Sequence, residues 1–391
     1  MKIDGKKKIC HIRFNASDTP ARAFQDCGMF LYTLAKDFNW DSTYIFYKTR
    51  SEETQWNQTF LKYVTPVCLG ETGALDYKKQ VSLAKKFIRE HIHEYDVIML
   101  FHYGSTAWKL ARLCKKYNSN VVVYIKLDMG IGGFNHFCNN SPFQNFKNWF
   151  EKIKSSYVDL FTVETKSYYE ELKKTSVFKN RIEYLPNGVS LLDVDLTELD
   201  TLPKENIVVT VGRLGTYEKN NSLLLNAIRN LPIELVKNWE FLLIGPSTQE
   251  FSKEVALFKE KNSAIANCIN MTGEINNRNT LYSYLRRAKI ICMTSLSEST
   301  CISTLEGMYF GTYPVITNYS DFTLDTTNNK KVGCIVENKN INALVSSLKH
   351  IMSDDNLYYK GLKSQFYVRS VFDYGVLTKS LDSILRRYIK G

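Results

Sequence analysis

Glu298 and Glu306 lie within the stretch Met293-Thr-Ser-Leu-Ser-Glu-Ser-Thr-Cys-Ile-Ser-Thr-Leu-Glu-Gly307. The run before them, Lys289-Ile-Ile-Cys-Met-Thr, reads as a buried strand, and Ile302, Leu305, Tyr309 and Phe310 then recur at helical spacing. The spacing predicts strand, short loop, helix, with Glu298 on the loop and Glu306 roughly two turns into the helix. Ser299 and Thr300 suit the cap of that helix. Free amides at a helix start attract an anion or a hydroxyl oxygen. A carboxylate on each side can accept hydrogen bonds from paired hydroxyls. These are the groups needed to hold a nucleotide sugar.

A second group suits the same ligand. Ile207-Val-Val-Thr-Val-Gly212 reads as a strand that runs through Arg213-Leu-Gly-Thr-Tyr-Glu-Lys219 into the helical Ser222-Leu-Leu-Leu-Asn-Ala-Ile. Glycine at the strand end lets the backbone turn close to a ligand. Arg213 and Lys219 would then be cations on one crevice loop, able to stabilise the charge that grows on a departing diphosphate.

In the first half, Val97-Ile-Met-Leu-Phe-His102-Tyr-Gly puts a histidine at a strand end, and Val121-Val-Val-Tyr-Ile-Lys-Leu-Asp128-Met-Gly ends in an aspartate. Asp128 is the one acid between Asp96 and Glu151, so it reads as a lone carboxylate among cations. It could orient or deprotonate an acceptor hydroxyl. The plainer alternatives are a histidine packed on an apolar strand end and an aspartate capping a turn. Further on, Phe143, Phe146, Trp149 and Phe150 recur at helical spacing with Lys147, Lys152 and Lys154 interleaved. That helix suits either a membrane interface with anionic headgroups or ordinary core packing. Asp193-Val-Asp195 and His91-Ile-His93 have metal-ligand spacing but lack a sheet context and a third ligand respectively, so no metal is expected.

Stepping outward, short β-branched runs alternate with longer amphipathic ones throughout. Strands are predicted at 8–14, 44–48, 96–102, 120–127, 160–164 and 182–185, then at 207–212, 240–245, 268–272, 289–294, 313–317 and 334–336. Helices fall between them. Alternating βαβα order in both halves implies an α/β protein with two doubly wound parallel sheets. We expect a first domain over 1–189, a linker over 190–205 and a second domain over 206–372. A terminal helix over 373–391 is expected to pack back on the first domain. At 391 residues the chain suits two domains.

No apolar run is long enough to span a membrane, no leader is read at Met1, and the nine cysteines lack a Cys-x-x-Cys pair, which suits a reducing cytosol. Net charge is uneven: residues 1–190 hold 28 Lys and Arg against 19 Asp and Glu (+9), and the remainder holds 23 against 21 (+2). An anionic partner is therefore expected for the first half alone. No zinc-finger, RNP or Arg-rich signature points to nucleic acid.

Five ordered elements resemble the GT-B-fold retaining glycosyltransferases of family 4: Tyr184-Leu-Pro-Asn-Gly-Val189, Gly212-Arg-Leu…Lys219, Leu243-Ile-Gly245-Pro246, Met271-Thr-Gly-Glu-Ile275 and Ser297-Glu-x7-Glu306. The resemblance implies two Rossmann-like domains facing a cleft, the second holding the donor and the first the acceptor. By it, Arg213 and Lys219 hold the donor diphosphate, Glu306 takes the ribose hydroxyls and Ile275 flanks the base. Gly245 lets the backbone approach, while Glu298 and the amides of Thr300, Cys301 and Ile302 face the donor sugar. His102 and Asp128 match family loops near the reacting sugar. The chain departs from the family at Ser299-Thr300-Cys301 and at Lys219-Asn220, which bears on the sugar rather than on the reaction class. The expected partners are a nucleotide sugar, UDP-linked rather than GDP-linked, and a lipid-linked cell-envelope glycan. An anionic membrane surface is the third, with no cofactor and a cytoplasmic or peripheral location. The rival readings are a non-catalytic GT-B subunit, an epimerase and a phosphorylase.

Overall fold

Strand residues of the first half turn alternately to two buried faces. In the computed structural model, which describes residues 5–13, 23–24, 26–48, 56–72, 76–138 and 142–389 (the side chains of 142–147 excepted), this alternation builds a seven-stranded parallel sheet. Its strands are β1 (Lys7–Ile12), β2 (Trp40–Lys48), β3 (Val64–Glu71), β4 (Val97–Phe101), β5 (Val122–Lys126), β6 (Leu160–Val163) and β7 (Ile182–Tyr184), in the order β3-β2-β1-β4-β5-β6-β7. Ile98, Leu100, Val123 and Ile125 pack into one apolar cluster, and Val97, Met99, Val122 and Tyr124 into the other. A sheet covered on both sides needs apolar residues at successive positions, which is why these strands read as continuous apolar runs.

The second half repeats the plan with six parallel strands: β8 (Glu205–Val211), β9 (Glu240–Ile244), β10 (Ile269–Gly273), β11 (Ala288–Met293), β12 (Tyr313–Thr317) and β13 (Cys334–Val336). Their order is β10-β9-β8-β11-β12-β13. In each sheet the direction of winding reverses beside its first strand, between β1 and β4 and between β8 and β11. Ligands of doubly wound sheets bind outside the carboxyl ends of the strands at such a point.

The chain divides into two units, Met1–Leu192 with Asp373–Gly391, and Asp193–Phe372. The helix Tyr374–Tyr388 packs within the first unit, where the Phe30 and Tyr374 rings meet at 5.2 Å and Trp40 Nε1 donates to Asp382 Oδ1 at 2.6 Å.

Among the elements not expected from the sequence are one strand and two helices of eight residues or more. β3 contains Pro66 and Gly70, which break a strand pattern, but it lies at the sheet edge where a missing donor is tolerated. The helix Ile131–Cys138 carries Gly132 and Gly133, poor helix formers. The helix Gln249–Lys261 buries only Phe251, Val255 and Phe258, a thin apolar stripe among charged residues. Phe14, at the end of the first expected strand, lies outside the described residues.

Candidate functional site

The carboxyl ends of β8, β9 and β10 are floored by glycine. Gly245 follows β9 with φ +134°, and a Cβ there would lie 1.9 Å from the Gly212 carbonyl oxygen. Its N–H donates to Gly273 O at 2.9 Å, and the Gly212 N–H donates to Ile244 O at 3.0 Å. The Lys219 side chain crosses over Gly212, its Cε 3.0 Å from where a Cβ would stand. Any larger residue at Gly212 or Gly245 would displace backbone or the lysine.

Lys219 is aimed at the loop after β11. Its Nζ donates to Glu298 Oε1 at 2.5 Å, and Ser295 Oγ donates to the same oxygen at 2.8 Å. The two loops are stitched by the Leu296 N–H to Glu218 O (2.7 Å) and by Thr294 Oγ1 to Lys219 O (3.1 Å). Burial opposes the Lys219 charge, but the Cys301 thiol and the Glu298 carboxylate hold its pKa above the usual range. Arg213 lies within electrostatic reach of Lys219 and Glu218. Its side chain is exposed and forms no hydrogen bond or ion pair among the described residues. One cation is thus pinned by a carboxylate, with a second within electrostatic reach of it.

The helix after β11 spans Ile302–Tyr309, and Cys301, not Ser299 or Thr300, occupies its cap position without a side-chain cap bond. Thr300 Oγ1 is buried and has no hydrogen-bond partner among the described residues, while the Ile302 N–H donates to Thr300 O at 2.9 Å. Burial, and then the neighbouring Glu298, push the Cys301 thiol up to about 11. Counted from Ile302, Glu306 sits little more than one turn into the helix rather than two.

Glu306 is buried and already partnered: its Oε1 accepts from Arg278 Nη1 at 2.5 Å and from the Tyr282 hydroxyl at 2.9 Å. Both donors sit one turn apart on the helix Arg278–Arg287, which Asn277 caps by accepting from the Thr280 N–H at 3.0 Å. Ile275, partly buried, lies on the loop between β10 and that helix. Arg278, Tyr282 and Ser295 were not expected. The signal for the first two was their spacing of four on a helix that follows Gly273-Glu-Ile275 directly.

In the first unit, the register Phe101↔Lys126 puts His102 and Asp128 just beyond the ends of adjacent strands β4 and β5. His102 is exposed, its Nδ1 3.0 Å from Tyr103 O. Asp128 is not the lone carboxylate expected. Its electrostatic neighbours include Glu164 after β6 and Asp26 at the start of the helix Asp26–Asp37, together with Lys126 and Arg13. Linear sequence hid this because Asp26 and Glu164 reach Asp128 only through the sheet. In the helix Pro142–Lys154, Asn148 and Glu151 face inward: Asn148 Nδ2 donates to Phe137 O, and Glu151 accepts from the Tyr103 hydroxyl at 2.6 Å. Trp149, Phe150 and Ile153 are 53%, 43% and 50% exposed, beside exposed Lys152 and Lys154. The side chains of Phe143, Phe146 and Lys147 lie outside the described residues. Asp195 serves as a helix cap, accepting from the Thr197 and Glu198 N–H groups, and His91 pairs with Glu94 at 2.7 Å.

Residues 197–363 match the family model for glycosyl transferases group 1. The matched segment contains Arg213, Lys219, Gly245, Ile275, Glu298 and Glu306 together with the unexpected Arg278, Tyr282 and Ser295. No curated protein matches the sequence. Among solved structures, a glycosyltransferase from Rickettsia africae is similar over 99% of this chain and 100% of its own, at 15% identity and a TM-score of 0.70. The sucrose-phosphate synthase of Thermosynechococcus elongatus is similar over 98% and 99%, at 17% identity and 0.70. Anabaena HepE, solved with UDP and glucose, is similar over 97% and 100%, at 13% identity and 0.66. The likeness at these identities is one of fold: two parallel α/β sheets of the GT-B type.

Proposed function

We propose that this chain is a retaining glycosyltransferase of family 4 that moves a sugar from a nucleotide donor to a hydroxyl acceptor. One observation carries the reading. In the group 1 segment, a Lys219–Glu298 pair with exposed Arg213 and a Glu306–Arg278–Tyr282 set both stand at the carboxyl ends of one sheet. Lys219 spends one of its ammonium donors on Glu298, which leaves others for a diphosphate oxygen. Arg213 adds a planar fork suited to phosphate. As the glycosidic bond breaks, the electron pair leaves with the diphosphate oxygen, and these cations stabilise it without rearranging. Glu306, held rigid through Oε1, offers its second oxygen to a ribose hydroxyl. Ile275 would flank the base through its backbone, while Glu298 and the amides of Thr300, Cys301 and Ile302 would face the donor sugar.

No residue is assigned as a covalent nucleophile, so the acceptor attacks on the face from which the diphosphate departs. Asp128 and His102 are assigned to the acceptor. The two cations supply the charge the leaving group needs, and no metal step is invoked. A UDP-linked donor is preferred, in keeping with the UDP carried by Anabaena HepE. A lipid-linked cell-envelope glycan is the proposed acceptor, with the protein peripheral on the inner face of the membrane. The exposed Trp149, Phe150 and Ile153 beside Lys152 and Lys154 support this location. Among the described residues no helix is long and apolar enough to cross a membrane.

The test is a panel of nucleotide sugars scored for protein-dependent nucleotide release. Release from one UDP-sugar supports the reading, and release from none overturns it.

A further inference from the structure

One lysine reaches the carboxyl ends of two helices. Lys204, partly buried just before β8, donates through Nζ to Ala288 O at 2.6 Å, to Phe310 O at 2.7 Å and, more loosely, to Leu285 O at 3.5 Å. Leu285 lies in the last turn of the helix Arg278–Arg287, Ala288 is its C-cap, and Phe310 is the C-cap of Ile302–Tyr309. Carbonyls at a helix end lack partners within the helix and form its negative pole, which favours a cation there. An ammonium has three donors to offer them. Burial, and then Arg286 nearby, hold the Lys204 pKa well below the usual lysine range, so the charge is kept there against the loss of its hydration.

Ending the helix does not require this lysine. Ile302–Tyr309 is closed locally, with Gly311 at φ +85°, its N–H donating to Met308 O at 2.9 Å and the Thr312 N–H donating to Gly307 O at 3.1 Å. What Lys204 adds is a tie between one helix and the other. Those two helices carry the set proposed for the ribose: Arg278 and Tyr282 on the first hold Glu306 Oε1 on the second. Glu306 stands one turn before Phe310, whose N–H donates to Glu306 O at 3.3 Å. The Phe310 and Tyr282 ring centroids lie 4.7 Å apart. From a third helix, Leu357–Val371, Gln365 Nε2 and Arg369 Nε donate to Tyr309 O at 3.0 and 3.2 Å. A slide of Ile302–Tyr309 against Arg278–Arg287 would draw Glu306 off both of its donors, and the Lys204 tie opposes that slide.

We propose that Lys204 is a positioning residue for Glu306, tying the ends of the two helices so that the carboxylate keeps a fixed place for a ribose hydroxyl. The inference rests on the nucleotide-sugar reading above. Lys204 touches no substrate in it, and its effect runs through Glu306.

The experiment is a double-variant cycle on UDP affinity, measured by calorimetry on the full-length protein. Lys204→Met keeps a side chain of similar length and removes every donor. Losing one charge-assisted bond outright weakens binding about 10–100-fold. Displacing Glu306 without removing it forfeits part of that, so Lys204→Met should raise the UDP Kd about tenfold. In a Glu306→Gln background the same substitution should change Kd by less than about twofold, because the charge that Lys204 positions is gone. Asn340→Ala controls for stability alone. It deletes the side chain that caps Ile341–Met352 by accepting from the Ala343 N–H at 2.9 Å, and should lower the melting temperature with no change in Kd. If Lys204→Met does not fold, Lys204→Gln, which keeps two amide donors, goes through the same cycle with an expected loss of about threefold.

A folded Lys204 variant with the wild-type Kd overturns this inference and leaves the donor reading standing. An equal loss in both backgrounds does the same, since a merely structural role gives that result. A wild-type protein that binds no UDP and releases nucleotide from no donor overturns the donor reading and the role of Lys204 with it.

Discussion

Replacing Lys219 by methionine should damage stability and catalysis by separable amounts. The wild-type pair is largely enclosed, with Lys219 14% and Glu298 17% exposed, and the Glu298 oxygen that accepts from Lys219 has one further donor, Ser295 Oγ. Breaking a buried ion pair costs about 3–5 kcal/mol because the surviving charge is stranded. The residual exposure lets water reach Glu298, so we place the loss near 2–3 kcal/mol, below that range. For a domain of this size that corresponds to a melting shift of about 4–12 °C. In catalysis, removing one fixed donor from a developing oxyanion costs about 2.7–4 kcal/mol, or roughly 10²–10³ in kcat. The double variant Lys219→Met/Glu298→Gln separates the two effects. Neutralising the stranded carboxylate should restore much of the melting temperature and none of the rate. Thermal melts paired with steady-state nucleotide release read both quantities. A Lys219→Met enzyme with kcat within about threefold of wild type, or a double variant that regains rate, would refute the leaving-group role.

Further outcomes follow from the same geometry. Glu306→Gln keeps an acceptor for the Tyr282 hydroxyl and should stay folded, yet losing one charge-assisted bond to a ribose hydroxyl should weaken UDP binding about 10–100-fold by calorimetry. An unchanged Kd would remove Glu306 from the ribose site. His11 is fully buried, and burial followed by Arg13 lowers its pKa to about 3, partly offset by the Met99 carbonyl. The unfolded chain therefore takes up a proton below about pH 6.5 that the folded one refuses, and His11 should contribute a stability loss of about 1.4 kcal/mol per pH unit between there and pH 3. His11→Gln should flatten that slope in urea titrations at successive pH values, and an unaltered slope would contradict the burial argument. Replacing Lys152 and Lys154 by Gln should reduce salt-sensitive cosedimentation with anionic vesicles. Equal binding by wild type and variant would retire the membrane surface.

Local patterns carried the architecture because the inner strands of both sheets are buried on both faces and the longer helices between them carry apolar stripes. β3 escaped because an edge position tolerates Pro66, a property of sheet order and not of the segment itself. Arg213, Lys219 and Glu298, which we propose for the donor, could be placed from the sequence because glycine turns and loop lengths put them just after strands, and Glu306 because the helix follows at once. Their partners were harder to read. Arg278 meets Glu306 across 28 residues, and Glu164 meets Asp128 across 36. Those contacts exist only once neighbouring strands and helices have found their places. The cap of the helix Ile302–Tyr309 was likewise hidden, since Ser299 and Thr300 have cap-forming side chains that this backbone does not use.

The central claim is that the Asp193–Phe372 unit holds a nucleotide sugar through its cations and glutamates and gives up the sugar. Its most direct test is nucleotide release from a panel of UDP- and GDP-sugars by wild type and by the folded double variant Lys219→Ala/Glu306→Ala, measured side by side. The account predicts release from a UDP-sugar by wild type and none above background by the variant. Equal release by the two proteins, or none by wild type from any donor, would contradict it.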